Sequence, residues 1–223
     1  MELACTIDRI QEATGETIDP YQFPLDDKET YELLCCGDTK GVRVEGDIMR
    51  EWLVRLKPDR FQDLIAMNAL YRPGAIDNFP QYIAVKHGKE KPEYAHPVLE
   101  DVLSETYGVI VYQEQTMRIL NRLGNIPLGD AYSCIKEISK KRAVKIKKYR
   151  ETFIEGTREN GLAEEEADEI FELIIKFAPY GFNKSHATAY AHLTYMMAYL
   201  KAHFPVAFTF AQSLDSRFPI PGR

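Results

Sequence analysis

The sequence has few cysteines and no long hydrophobic run. Its cysteines form neither a Cys-x-x-Cys pair nor a spacing with histidine that is typical of zinc sites, so we expect reduced structural thiols. They are Cys5, Cys35, Cys36 and Cys134. No stretch reaches the roughly 18 consecutive apolar residues that span a bilayer, and the N-terminus lacks the basic and apolar regions of a signal peptide. These absences predict a cytoplasmic protein without a membrane partner.

Several catalytic patterns are also missing. The five histidines form no His-Glu-x-x-His or triad signature, and the chain has neither a Walker-type loop nor a Gly-x-Gly-x-x-Gly motif. No two aspartates lie two positions apart, so the Asp-x-Asp arrangement that often holds two magnesium ions for phosphoryl transfer does not occur. We therefore predict no catalytic residue, no metal ligand and no bound cofactor in this chain.

The sequence does contain a local concentration of positive charge. The net charge of −6 by itself disfavours nucleic-acid binding, because phosphates are bound by lysine and arginine. Between residues 136 and 150, however, eight basic residues accompany a single acid, Glu137. The basic residues are Lys136, Lys140, Lys141, Arg142, Lys145, Lys147, Lys148 and Arg150. A cationic helix face of this kind binds phosphates; the alternative interpretation is a solvated surface.

Residues 180–186 are a second candidate site. They are Tyr180, Gly181, Phe182, Asn183, Lys184, Ser185 and His186, directly before an apolar helix. The aromatic rings offer stacking faces for bases, the polar groups offer donors for phosphate, and a helix N-terminus favours anions. The alternative is an ordinary helix start that Asn183 or Ser185 caps.

Three other polar residues are candidate contacts. Arg72 lies where a buried helix meets the Pro73-Gly74 turn, so its guanidinium could reach a cleft; a surface ion pair is the alternative. Gln113 and Gln115 follow an extended segment. They are either helix surface or contacts to a template strand.

Hydrophobic spacing indicates the fold class. Apolar residues at three- and four-residue intervals predict at least eight helices and hardly any strand, and a hydrophobic content of 45% can close a substantial core. We therefore predict a mainly α fold, an irregular multi-helix domain with very little strand. The expected divisions are a short helix and loop over residues 1–30, a helical domain over 31–210 and a disordered tail over 211–223.

Four local patterns are also informative. Asp26 is a plausible N-cap for the second helix, and the apolar helix over 186–203 should be packed on most sides, so its histidines should pack rather than catalyse. Residues 74–97 alternate turn residues, aromatics and charge, which predicts a loop-rich segment. Residues 107–112 are short and β-branched, as in a strand or an extended lead into a helix that runs to residue 123.

Read together, these segments resemble the alpha subunit of bacterial DNA polymerase III, a C-family replicative polymerase. The order and spacing of the matching stretches cover about residues 5 to 210, and two of the strings, Tyr-Gln-Glu-Gln and Gly-Phe-Asn-Lys-Ser-His, are highly specific to that family. The stretches are Gly-Asp-Thr-Lys-Gly-Val (37–42), Leu-Lys-Pro-Asp (56–59), Ala-Leu-Tyr-Arg-Pro-Gly (69–74), Lys-His-Gly (86–88), Glu-Thr-Tyr-Gly-Val-Ile-Val-Tyr-Gln-Glu-Gln (105–115) and Tyr-Gly-Phe-Asn-Lys-Ser-His-Ala (180–187).

The resemblance implies the fingers domain, which closes over the incoming deoxynucleoside triphosphate and the templating base. It assigns the cationic helix to the triphosphate and residues 180–186 to the nascent pair. The phosphate-binding candidates are Arg72, Lys136, Lys140, Lys141 and Arg142. The candidates for contact with the nascent pair or the template are residues 180–186, Gln113 and Gln115. The implied activity is that of a DNA-directed DNA polymerase, a nucleotidyltransferase of DNA replication. The implied partners are primer–template DNA, deoxynucleoside triphosphates, the rest of the polymerase chain and, through other regions, replisome subunits.

The same resemblance places the metal-binding aspartates in a palm upstream of Met1, so Mg²⁺ is expected for the full enzyme and the isolated chain is expected to be inactive. Departures from the family pattern occur at residues 43–46, at 75–78 and from Leu214 onward, and Glu137 puts an anion near the proposed phosphate site. An excised domain, a gene fragment and a frameshifted remnant all fit such ends. The alternative functions are a non-catalytic helical nucleic-acid-binding module and a decayed fragment.

Overall fold

The computed structural model describes residues 2–42, 44 and 46–217, and α-helices form most of it. The described helices are α1 Glu2–Thr14, α2 Lys28–Cys35, α3 Asp47–Leu56, α4 Phe61–Leu70, α5 Phe79–Lys86, α6 Pro97–Leu103, α7 Gln113–Arg122, α8 Leu128–Ser139, α9 Ala143–Arg158, α10 Glu164–Phe177, α11 Lys184–His203 and α12 Pro205–Arg217. Within these ranges the only β pairing is an isolated bridge between Tyr112 and Phe182. The predicted mainly α fold class is therefore confirmed. Of the helices described, none is long and apolar enough to cross a membrane.

The chain divides into two compact units. Unit 1 consists of Met1–Met67 and Thr188–Arg223, and unit 2 consists of Asn68–Ala187. This division differs from the boundaries at residues 30 and 210 that the sequence suggested, because the two ends of the chain contribute to one unit. Every residue predicted to bind nucleotide or template lies in unit 2.

In unit 1, α1 packs against α12. The Arg9 guanidinium donates to the carbonyl oxygen of Ala211 at 2.5 Å, and the Gln212 amide donates to the Thr6 hydroxyl at 3.1 Å. Phe208 is 1% exposed, so α12 also has a buried face. These contacts explain why residues 211–217, predicted to belong to a disordered tail, continue a helix instead. Residues 218–223 of that predicted tail lie outside the described residues.

The N-cap of α2 is Asp27, and the prediction of Asp26 is wrong by one residue. The Asp27 carboxylate accepts hydrogen bonds from the Thr30 N–H at 2.8 Å and from the Thr30 hydroxyl at 2.6 Å, and it lies 3.0 Å from His203 Nε2. Burial opposes ionisation of this carboxyl, but the bonds from Thr30 and His203 outweigh it and lower the pKa of Asp27. His203 is thus a packed, hydrogen-bonded residue, as the sequence predicted.

Unit 2 is built around one hydrophobic core that α6 to α10 share. Its largest fully buried aromatic side chains are Phe153 on α9 and Phe171 on α10, whose ring centroids lie 5.5 Å apart. The aliphatic members include Leu99, Val102, Leu103, Ile119, Leu120, Leu123, Ile135, Ile138, Ile170 and Ile174. Because α8 and α9 both contribute to this core or pack against it, the basic segment between residues 136 and 150 is fixed to a rigid support.

One segment of unit 2 was predicted wrongly as loop-rich. Residues 79–86 form α5, in which Phe79, Tyr82 and Val85 are buried. The Tyr82 ring meets the Tyr107 ring edge to face at 5.0 Å. The helix forms because three large side chains at three-residue spacing find a core, although Pro80 at its start resembles a turn signal in the sequence.

Two helical glycines in unit 2 test how tightly this core is packed. A Cβ added at Gly156 on α9 would lie 2.0 Å from the carbonyl oxygen of Gly124, whereas a Cβ added at Gly129 on α8 meets nothing within 4 Å. We expect Gly129→Ala to stabilise the chain by up to about 1 kcal/mol, because alanine favours a helix. Gly156→Ala should destabilise it by roughly 1–3 kcal/mol, because backbone must move. Urea unfolding followed by circular dichroism measures both changes, and equal effects would contradict this packing.

Candidate nucleic-acid interface

The turn at Arg72 lies against residues 180–186, although the two segments are far apart in sequence. The Arg72 Nη2 donates to the carbonyl oxygen of Tyr180 at 2.7 Å, and its Nε donates to the carbonyl oxygen of Ala69 at 3.1 Å. The guanidinium also lies 4.2 Å from the centroid of the Phe182 ring. Burial lowers the pKa of Arg72. Arg72 therefore joins two of the predicted segments through cation–π and main-chain contacts.

The glycine of the same turn is required by the neighbouring aromatic ring. Gly74 has φ of 82°, and a Cβ added there would lie 2.2 Å from Cε1 of Tyr180. Any other residue would be strained in this conformation and would displace the ring. Tyr180 nevertheless keeps 45% of its surface exposed, so one part of its side chain is free of the turn.

A single pair of main-chain hydrogen bonds connects residues 180–186 to the start of α7. The Phe182 N–H donates to the carbonyl oxygen of Val111 at 3.2 Å, and the Gln113 N–H donates to the carbonyl oxygen of Phe182 at 3.0 Å. Gly181 favours this close approach, because a Cβ there would lie 3.2 Å from Cα of Gln113, which is a tight contact. Residues 109–112 therefore form a lead into the helix, the second of the two predicted alternatives, whereas Tyr107 and Gly108 form a turn with left-handed φ of 55° and 84°.

Gln115 lies behind this pairing and is 2% exposed. Its Oε1 accepts from the N–H groups of Val111 at 2.9 Å and Tyr112 at 3.0 Å, and its Nε2 donates to the Thr106 hydroxyl at 2.7 Å. A buried amide with these partners does not reach a template strand. The predicted template contact at Gln115 is therefore corrected to a positioning role, whereas Gln113 is half-buried at the start of α7.

Two acidic side chains hold the start of α11. The Glu114 carboxylate accepts from the Lys184 N–H at 3.1 Å and from the Asn183 amide at 3.1 Å. Lys184 Nζ contacts both carboxylate oxygens of Glu105, at 2.7 and 2.8 Å. Asn183 Oδ1 accepts from the His186 N–H at 2.8 Å, so Asn183 caps the helix as one alternative predicted. The helix N-terminus thus already interacts with an internal anion, while Ser185 and His186 stay exposed.

The basic residues gather where α8 ends and α9 begins. Lys140, Lys141 and Arg142 form the connection, and Lys141 adopts a left-handed φ of 54°. All three are exposed, and the Lys136 ammonium lies 4.3 Å from the centroid of the Tyr132 ring. The Ala178–Tyr180 turn packs against α8, so the helix that carries Lys136 contacts the beginning of residues 180–186.

Glu137 interacts with two cations of the basic segment. It accepts from Arg142 Nη1 at 3.1 Å and lies 3.5 Å from Lys145 Nζ. Burial opposes its ionisation, but the bonds and charges of Arg142 and Lys145 outweigh that effect and lower the pKa of Glu137. The anion that the sequence placed near the phosphate site is therefore ionised and partly neutralises Arg142.

Glu105 and Glu114 were not predicted from the sequence, although both belong to the string over 105–115 that carries the family resemblance. No spacing rule connects an acid at 114 with a helix start at 184. The specificity of the string was the only signal that could have found them. Across the described residues, no group of three or more histidine, cysteine, aspartate or glutamate side chains is arranged to hold a metal ion.

The sequence matches the fingers domain of one polymerase family. The family model for the bacterial DNA polymerase III alpha subunit finger domain matches residues 2–161. The chain belongs to this family. It is 46% identical over 207 residues to the DNA polymerase III subunit alpha of Halalkalibacterium halodurans, covering 92% of this chain and 18% of that protein. It is 42% identical over 198 residues to the subunit of the same name from Staphylococcus aureus strain MRSA252, covering 88% and 19%. The chain thus spans about a fifth of the length of these relatives.

Gln115 and Gln113 form a matched pair for testing the support of the site. We expect Gln115→Ala to cost roughly 2–4 kcal/mol of unfolding free energy, because two buried N–H groups lose their acceptor. Gln113→Ala should change it by less than about 0.5 kcal/mol, because that side chain is half-buried at the helix surface. Chemical denaturation of both variants measures the difference, and similar losses would contradict the positioning role.

Proposed function

We propose that this chain binds nucleotide and template for template-directed DNA synthesis, as the fingers of a DNA polymerase III alpha subunit. The observation that carries the proposal is the contact of Arg72 with Tyr180 and Phe182. It joins a cationic turn to an aromatic segment with an exposed face, and α8, the helix that carries Lys136, packs against the Ala178–Tyr180 turn. Such a combination of rings and cations suits a base with its attached phosphates.

The phosphate-binding part of this proposal rests on the connection between α8 and α9. Lys140 and Lys141 are exposed, and no ion pair with an acid is found for either within the described ranges. Lys136 is beside them, and Arg142 shares its charge with Glu137. Lysine on a flexible stem can follow the triphosphate as it enters and leaves, since each ammonium carries three rotatable donors.

The base-binding part rests on Tyr180 and its neighbours. Tyr180 is 45% exposed, and His186 is exposed in the first turn of α11. The Phe182 and His186 rings meet edge to face at 5.4 Å, so the two rings support each other. Lys184 is held by Glu105 and therefore positions the segment more than it binds phosphate.

The chemical step itself belongs to other regions of the polymerase. In the proposed reaction a primer hydroxyl attacks the triphosphate, and the metal-binding carboxylates that support it are expected in the palm. What the residues of this chain would contribute is orientation of the triphosphate and of the nascent pair. The proposed partners are therefore primer–template DNA, deoxynucleoside triphosphates and the remainder of the polymerase with its replisome subunits.

Primer extension tests whether the chemical step depends on other regions of the polymerase. We expect the purified chain, with magnesium and all four deoxynucleoside triphosphates, to add no nucleotide to a labelled primer, because it lacks the proposed carboxylates. A full-length alpha subunit serves as the positive control. Robust incorporation by this chain alone would overturn the proposal.

DNA binding tests the surface directly. Fluorescence anisotropy with a labelled primer–template should show affinity that falls with salt, with a log–log slope between about −2 and −4 for a few phosphate contacts. Tyr180→Ala should weaken binding about fivefold or more, because a stacking face is lost. Tyr21→Ala, which removes an 85% exposed tyrosine from unit 1, is the matched control and should have little effect.

The outcomes separate the alternatives. Binding that weakens with salt but is unchanged by Tyr180→Ala would favour a non-catalytic nucleic-acid-binding module over a polymerase element. Absent or salt-insensitive binding, together with unfolding that lacks cooperativity, would favour a decayed fragment.

A further inference from the structure

A groove in unit 2 lies between the turn at residues 125–127 and one face of α9. It encloses about 420 Å³. Its lining residues are Asn125, Ile126, Pro127, Asp130, Lys145, Lys148, Tyr149 and Thr152. This volume is within the range of small-ligand sites in proteins. The groove contains none of residues 180–186 and none of Arg72, Lys136, Lys140, Lys141 or Arg142, although Lys145 and Lys148 belong to the same basic segment of the sequence.

The α9 side of the groove is one continuous helix face. Lys145, Lys148, Tyr149 and Thr152 follow at intervals of three, one and three residues, which places them together along one side of the helix. Lys147 is not on this side, and its ammonium lies 4.0 Å from Glu151 instead. Two adjacent lysines of the same helix therefore have different surroundings: Lys148 lines the groove and Lys147 does not.

The groove combines cations with an aromatic and apolar wall. Two ammonium groups oppose a single carboxylate, Asp130, so the net charge of the lining is positive. Burial, together with nearby acidic groups, raises the pKa of Tyr149, which stays a neutral phenol able to donate a hydrogen bond or offer its ring. The Thr152 hydroxyl donates to the Lys148 carbonyl at 3.0 Å, and the Asn125 amide donates to Glu159 at 2.6 Å. Lys145 also lies 3.5 Å from the Glu137 carboxylate, so the donors that remain for a ligand are Lys148 and Tyr149, with Lys145 sharing its charge with Glu137.

We propose that this groove binds a nucleoside phosphate, with Lys145 and Lys148 on the phosphate and Tyr149 with Pro127 against the sugar or base. The inference rests on the proposed function and adds a second contact point for DNA. A phosphate pairs well with a lysine ammonium, and a ring beside it suits the base of the same nucleotide. The nucleotide can come from a single DNA strand or from a free triphosphate, and both carry this chemistry.

Anisotropy with a labelled oligothymidylate, at low salt, tests the site with Lys148→Ala and Lys147→Ala as a matched pair. Each variant removes one charge from the same helix, and circular dichroism confirms that both stay folded. We expect Lys148→Ala to weaken binding about tenfold, as for loss of one charged hydrogen bond. Lys147→Ala should weaken it less than twofold.

A variant that gains affinity distinguishes the groove from general electrostatics. Asp130→Asn removes the only carboxylate of the lining and should strengthen oligothymidylate binding two- to fivefold. Glu165→Gln, a change of equal charge at an exposed position of α10 outside the groove, is its control and should have less effect. Competition with free thymidine triphosphate identifies the source: displacement of the oligonucleotide from the unmodified chain, at a concentration that Lys148→Ala raises, shows that the groove also takes the triphosphate, and no displacement assigns it to the DNA strand.

Other results would overturn the inference. Equal losses from Lys147→Ala and Lys148→Ala would show diffuse attraction by the helix, and the proposed function would survive without the groove. If Tyr180→Ala weakens binding and neither lysine variant does, the groove is likewise excluded and the proposed function is kept. No binding of DNA by the unmodified chain would remove the proposed function and the groove together.

Discussion

Two main-chain hydrogen bonds join Val111 and Gln113 to Phe182, and the candidate site depends on them. They form a single bridge rather than a sheet, so each contributes only about 1 kcal/mol. The bridge persists because side chains on both sides support it. Gln115 binds the N–H groups before it, and Arg72 covers the Phe182 ring. The start of α11 is therefore positioned by a few polar contacts within an otherwise apolar unit.

Internal carboxylates decide which cations of unit 2 are open to a ligand. Glu105 binds Lys184, and Glu137 binds Arg142. Glu114 takes the place at the N-terminus of α11 that sequence alone offered to phosphate. These pairs orient the segments that they connect, and they lower the number of charges that a nucleotide could contact. Basic residues counted along the sequence therefore overstate the binding surface.

The sequence predicted the elements whose stability is local and missed those that depend on distant partners. Helices α7 and α11 were located to within two residues of their predicted bounds. Helix α12 was missed at its end, because its burial requires α1 from the opposite end of the chain. Gln115 was misplaced for a similar reason: residue type does not reveal whether an amide lies in the core or at the surface. The contact between Arg72 and residues 180–186 was not predicted, since no periodicity relates segments more than 100 residues apart.

Arginines on α9 form ion pairs within the protein, whereas lysines predominate on the exposed face of this helix. Arg150 pairs with Asp168 at 3.0 Å and with Glu172, and Arg158 pairs with Glu164 at 3.0 Å, so arginines of α9 bind the acidic helix α10. These pairs neutralise three acids of α10, Glu164, Asp168 and Glu172. A planar guanidinium suits such fixed partners, whereas a lysine can adjust to a phosphate that arrives and departs. The exposed face of α9 and the connection before it carry mainly lysines. The flexible cationic side chains of unit 2 are therefore exposed where a ligand can reach them.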